Sequence, residues 1–232
     1  MIPGMARRRR RALYVSPHQD DEQLSYGASI LADVAAGYDV TVLLATDGRA
    51  SWSRTSATLI ARVGSTPSME DYSNARTREF AESVRRMGAT PIAPPYGTLV
   101  NDGAGTAANV RALIEEYCEP GAVLRGTSQY DYHVDHRAVG EALIALEADG
   151  FGTDLRLLLS HHSMTPGNNT VPAGVTIHAV DNPPFGLYYQ WPYRNVDVAN
   201  GWWGVGYLDV DYLFDAITGP DPDTYWHGSP NG

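Results

Sequence analysis

The chain contains no lysine: all 17 of its basic residues are arginine, set against 27 aspartates and glutamates. The net charge of -10 and pI near 5.0 exclude the basic face that a phosphate backbone requires, so nucleic acid is not an expected partner. Cysteine is nearly absent as well. The lone Cys118 cannot close an internal disulfide, which fits a reducing compartment. No apolar run approaches the roughly 20 residues of a membrane helix. Residues 7–11 are all arginine, but the apolar Ala12-Leu13-Tyr14-Val15 that follows is too short for the core of a signal peptide. A cytoplasmic location is therefore expected, with the arginines as a solvated tail; binding to an anionic surface is the alternative. Two catalytic signatures are also missing. Without a Gly-x-Ser-x-Gly elbow, or a phosphate-binding glycine loop after the first strand, neither a serine hydrolase nor a nucleotide-binding Rossmann enzyme is favoured.

What is present reads as alternating strands and helices. At 232 residues the chain suffices for one three-layer core. Short buried strands are predicted at 12–16, 39–45, 90–96, 122–126 and 154–160, the third broken by prolines and so confined to an edge. Helical spacing covers 22–36, 71–87, 107–119 and 137–148. This pattern predicts an α/β fold: a three-layer α/β/α, Rossmann-like, mostly parallel sheet of order 3-2-1-4-5. The core is expected over 12–163, with an aromatic-rich extension over 164–232 packed on the same domain. Residues 49–69 read as a long loop, either a lid or a plain mobile segment. In the extension, Trp202-Trp203 suggests a stacking platform for a sugar or apolar substrate, or else ordinary core filling.

Polar residues concentrate in two clusters, Ser16-Pro17-His18-Gln19-Asp20-Asp21-Glu22 after the first strand and 128–136 after the fourth. In the predicted order those strands are neighbours at the switch point, where such folds place ligands. A single aspartate there could simply cap a helix; two beside a histidine call for more. His18, Asp21 and His136 are the usual stock of a catalytic zinc site with one position open to water. Asp20 beside them is the candidate general base, and His133 the candidate group for the oxyanion or the departing amine. Asp135 is expected to fix the His133 tautomer. Two histidines and a carboxylate also describe a non-haem iron oxygenase, although those sites favour another fold and spacing. A non-catalytic metal-binding protein is a further alternative. Arg76 and Glu79, three apart on one helix face, would ordinarily be an exposed ion pair. His161 and His162 follow a core strand and could face the site.

His18-Gln19-Asp20-Asp21-Glu22 resembles the His-Pro-Asp-Asp-Glu motif of the LmbE/PIG-L zinc deacetylases, and His133-Val134-Asp135-His136 resembles their His-Pro-Asp-His motif. Thr46-Asp47-Gly48, Arg76-Thr77-Arg78-Glu79, Met87-Gly88 and Asn101-Asp102-Gly103 follow the same pattern in order, across residues 12–160. The resemblance implies a metal-dependent amidohydrolase that removes acetyl, or another acyl group, from an amino-sugar-containing small molecule. It implies one zinc ion per chain on His18, Asp21 and His136, with Asp20 as base and His133 assisting. Arg76 and Asp102 fall where that family contacts substrate. Gln19 and Val134 stand in place of the family's prolines, and Asp131 stands where some relatives carry tyrosine. The sequence sets no oligomeric state and is compatible with a homo-oligomer.

Overall fold

The computed structural model describes residues 9–180, 185–218 and 224–230. Arg7 and Arg8 of the arginine run lie outside them. The chain begins with β1 (Arg11–Ser16), α1 (Asp21–Leu24), α2 (Gly27–Ala35) and β2 (Asp39–Leu44). It continues through α3 (Ala57–Val63), α4 (Met69–Arg86), β3 (Thr90–Ile92), α5 (Ala107–Tyr117), β4 (Val123–Thr127), α6 (Val134–Ala148) and β5 (Thr153–Ser160). The extension adds β6 (His178–Ala179), α7 (Leu187–Arg194), α8 (Val205–Ala216) and β7 (Thr224–Gly228).

Among the described residues the sheet runs β3-β2-β1-β4-β5-β7-β6. The first five strands are parallel in the order expected, and β7 and β6 continue the sheet antiparallel beyond β5. Unbroken apolar strands suit a sheet covered on both faces: in β1 every residue after Arg11 is buried, and in β2 Val42, Leu43 and Leu44 are fully so. Pro91 lacks an amide donor and sits in β3, at the edge.

The helix expected over 22–36 is instead two. Ser25 turns its hydroxyl to Asp21 Oδ1 at 2.9 Å, and the buried Tyr26 donates to the Val15 carbonyl at 2.9 Å, so the chain bends between α1 and α2. The 49–69 segment is not structureless either. It holds a 3₁₀ turn, Trp52–Thr55, and α3, whose N-cap Ser56 accepts from Leu59 N. Leu59 is its one fully buried apolar side chain, packed with Tyr72 and Val205 in a small satellite core, which is why no helical period showed. Trp202 and Trp203 diverge, the first meeting Trp191 edge-on at 5.2 Å and the second joining the Leu59 cluster. Both are half-buried, and only Trp203 joins a core cluster.

α4 carries the longest regular stretch. Ser68 caps its start by accepting from Asp71 N, acidic residues occupy its first turn and Arg85 and Arg86 its last, each complementing the helix dipole. Its Arg76 and Glu79 are not an exposed pair: they are 4 % and 0 % exposed. Glu79 accepts from Val205 N and Gly206 N, both at 2.9 Å, and so satisfies the free amides that open α8.

Candidate active site

The two polar clusters meet beyond the carboxyl ends of β1 and β4. The Asp21 carboxylate is their meeting point, because its Oδ2 lies 3.2 Å from His18 Nδ1 and 3.1 Å from His136 Nε2. Each imidazole has its outer nitrogen against another carboxylate. His18 Nε2 lies 3.0 Å from Asp135 Oδ2 and 3.3 Å from Asp102 Oδ1, while His136 Nδ1 lies 3.3 Å from Asp131 Oδ2. An imidazole whose far nitrogen is held by a carboxylate presents the near one as a lone pair, the arrangement that orients metal-binding histidines. A ring nitrogen of His133 also lies within 4.8 Å of those of His18 and His136, so a three-histidine set overlaps the first. The second set of donors within 4.8 Å of one another is His18, Asp102 and Asp135.

The outer carboxylates are themselves fixed. Asp135 accepts from Gly103 N at 2.8 Å and Gly105 N at 2.7 Å, an approach so close that a Cβ on Gly105 would sit 2.5 Å from its Oδ1. Asp131 accepts from Ser163 Oγ at 2.8 Å and from His133 N at 2.9 Å. Asp102 accepts from Ala50 N, which ties its turn to the 49–69 segment. Asp131, which in sequence is only a departure from tyrosine, is a site residue, because it faces His136 five residues on.

Asp135 differs from expectation. Its carboxylate serves His18, and lies 4.0 Å from His133 Nδ1. His133 is instead the N-cap of α6, its Nδ1 accepting from the Asp135 backbone amide at 3.3 Å. Capping commits His133 Nδ1 to the backbone and leaves the buried Asp135 carboxylate to His18. A neutral His133 ring with Nδ1 accepting carries its proton on Nε2.

Asp20 is held in an uncommon backbone conformation, φ 154°, at the start of α1. Arg76 clamps it there. Its Nη2 reaches both the Gln19 carbonyl and Asp20 Oδ2 at 3.1 Å, and its Nη1 reaches the Gly48 carbonyl at 3.1 Å. Gly48 is required at this corner: its φ is +64°, and a Cβ would lie 2.2 Å from Gln19 Oε1. Arg76, expected to meet substrate, lines the cleft, and its terminal nitrogens bond the Gln19 and Gly48 carbonyls and Asp20.

Burial pushes the Asp20 carboxyl up to about 7 despite the opposing Arg76 guanidinium. Burial works against the charged form of His136, yet Asp21 and Asp131 outweigh it and raise that ring to about 10. His133 is lowered, by burial and by the neighbouring His18 and His136 rings. Asp20, Asp21, Asp102, Asp131 and Asp135 crowd two inner imidazoles and one guanidinium, an excess of negative charge that favours a cation.

His18, Asp20, Asp21, Arg76, Asp102, His133 and His136 line an open cleft of about 350 Å³, shared with Ser51, Trp52, Tyr132, Asp209 and Leu213. A side chamber of about 70 Å³ opens next to Asp21 and His136, walled by Leu24, Leu213, Ala216 and Ile217 and reached by both His161 and His162. Two other histidines are structural: His178 stacks on Trp226 at 4.3 Å, and the Nε2 of His227 lies 2.7 Å from Ser128 Oγ.

The sequence matches the PIG-L family, GlcNAc-PI de-N-acetylase, over residues 13–147. The chain is a PIG-L family protein. Its fold is shared with the A40926 pseudoaglycone deacetylase Dbv21, at 23% identity and a TM-score of 0.60 over 95% of this chain and 97% of that one. It is also similar to the zinc-inhibited form of teicoplanin deacetylase Orf2, at 18% identity and a TM-score of 0.56 over 96% and 100% of the two chains. A third structural relative is GalB of Pseudomonas putida KT2440, a 4-carboxy-2-hydroxymuconate hydratase, at 18% identity and a TM-score of 0.53 over 94% of each chain. No curated protein sequence matched. A PIG-L fold thus hosts more than one reaction, and the chemistry of this member must be argued from its side chains. No helix among its described residues is long and apolar enough to cross a membrane.

Proposed function

We propose that this PIG-L protein is a divalent-metal-dependent N-deacetylase that hydrolyses the N-acyl group of an amino-sugar-containing small molecule. The observation that carries the proposal is the convergence of His18 Nδ1 and His136 Nε2 on Asp21 Oδ2, each ring backed by its own carboxylate. Two imidazoles and one carboxylate match the donor set of a catalytic zinc site. A zinc ion held there would polarise an amide carbonyl and lower the pKa of water to about 7.

The remaining work falls to the protein. Arg76 occupies Asp20 Oδ2, so Oδ1 is the oxygen that takes a proton from the attacking water. His133 lines the same cleft with Nε2–H, suited to hydrogen-bond the developing oxyanion, while the proton that Asp20 has taken is the one available to the departing amine. Asp102, on the cleft wall, supplies a carboxylate for a substrate hydroxyl. A protein that only binds metal has no use for a buried base clamped by an arginine, which supports catalysis over storage.

The test is acetate release from a panel of N-acetyl amino sugars and their larger glycosides, before and after chelation. We expect release that chelation abolishes and one equivalent of zinc restores. Release that survives complete metal removal would sink the proposal.

A further inference from the structure

The family match ends at residue 147, but the cleft does not. Asp209, in the second turn of α8, enters it from the extension with a side chain 6% exposed. Its Oδ1 accepts from Ser51 Oγ at 2.5 Å, and its Oδ2 accepts from Tyr72 OH at 3.2 Å. The same Oδ2 lies 3.6 Å from Arg76 Nη1. One carboxylate therefore joins the entry to the 49–69 segment to two α4 side chains one turn apart, Tyr72 and the guanidinium that clamps Asp20.

The surroundings fix Asp209 there. One turn earlier, Glu79 holds the first amides of α8, so α4 grips α8 at two points through Arg76 and Glu79. Immediately after Asp209 the helix breaks, with Val210 at φ -144° and ψ 48°. The break turns Val210 and Leu213 onto the cleft wall beside Asp209. Ser53 Oγ joins Tyr72 OH at 2.7 Å, a second tie between the 3₁₀ turn and the same tyrosine.

We propose that Asp209 is a positioning residue for the reaction: it couples the 50–56 segment at the cleft mouth to the Arg76–Asp20 pair. The inference rests on the deacetylase reading for its kinetic part only. Losing the Asp209 charge leaves Arg76 Nη1 with the Gly48 carbonyl alone, and the guanidinium can swing away from Asp20. Losing the side chain altogether also frees Ser51. Misplacing a catalytic group by about 1 Å can cost on the order of a hundredfold in rate.

Two variants separate the parts. Asp209→Asn keeps an acceptor for Ser51 and removes the charge facing Arg76. In the zinc-loaded enzyme its kcat for acetate release should fall about tenfold to a hundredfold, with KM little changed and zinc content unchanged. Asp209→Ala should lose kcat similarly, and in addition speed amide hydrogen exchange across residues 50–56. A wild-type kcat in Asp209→Asn overturns the proposal, and so does wild-type exchange across 50–56 in a folded Asp209→Ala. If the unaltered protein releases no acetate from any substrate, the deacetylase reading fails by itself. The exchange rates, and the Arg76 position in a crystal of Asp209→Asn, then decide the coupling: an unmoved Arg76 or unchanged exchange overturns it.

Discussion

The core over 13–147 and the extension after residue 163 build the same cleft by opposite means. The core supplies its groups in short runs. His18, Asp20 and Asp21 sit at one strand-to-helix corner, and His133, Asp135 and His136 at another, because a parallel sheet gathers its strand ends at one edge. The extension supplies three side chains of one helix, Asp209, Val210 and Leu213, placed by long-range packing of α8 on α4. Chemistry that must be exact at one atom is thus encoded locally, and the enclosure around it is encoded by tertiary contact.

If that division holds, the largest effect belongs to the core's base. Asp20→Asn should retain metal and lose about 10²–10⁴ in kcat, the range general-base catalysis contributes, as read by acetate release. Next comes the buried carboxyl that joins core to extension. Glu22 Oε1 accepts from Ser83 Oγ and from the extension's Tyr193 OH, both at 2.6 Å, while its Oε2 is buried without a partner. Burial pushes Glu22 up to about 8 from the ordinary 4.5. A raised carboxyl favours the folded state fully below 4.5, and that contribution is lost as pH rises through about 8. Glu22→Gln should match wild type near pH 5 and exceed it by a few kcal/mol near pH 9, read from denaturant midpoints. A pH-independent difference would contradict the buried neutral acid.

The α4–α8 joint should come third. Glu79→Ala leaves the Val205 and Gly206 amides without their acceptor, at about 1–3 kcal/mol for each group that stays buried. At this chain length that lowers Tm by about 2–4 °C per kcal/mol. Glu79→Gln, which can keep one acceptance, should recover part of the loss. The smallest effects belong to the outer carboxylates. Asp131→Asn and Asp135→Asn should each weaken zinc binding about 10–100-fold, measured by competition with a chelator. An equal loss from the more distant Asp47→Asn would show that general acidity, not ligand orientation, matters.

The same division explains what could be read beforehand. The order of the first five strands and the two motif corners follow from local pattern and from the handedness of parallel connections, so they were legible. The burial of Arg76 and Glu79 was not, because a helix face with two charges looks solvated until α8 is laid against it. Nor was α3, whose single buried Leu59 gives no period. The neighbour of the Asp135 carboxylate was not legible: His133 is the N-cap of α6, its Nδ1 is taken up by the Asp135 backbone amide, and the carboxylate is left to His18. The extension's β7 was not legible, because an antiparallel addition at a sheet edge leaves no βαβ signature.

In the proposed enzyme His18, Asp21 and His136 form one metal centre served by Asp20. Zinc stoichiometry and acetate release, measured together on wild type, Asp20→Asn and His136→Ala, test it most directly. We expect about one zinc per chain in wild type and Asp20→Asn, weakened binding in His136→Ala, and acetate released by wild type alone. Full zinc occupancy in His136→Ala, or wild-type turnover in Asp20→Asn, would contradict it.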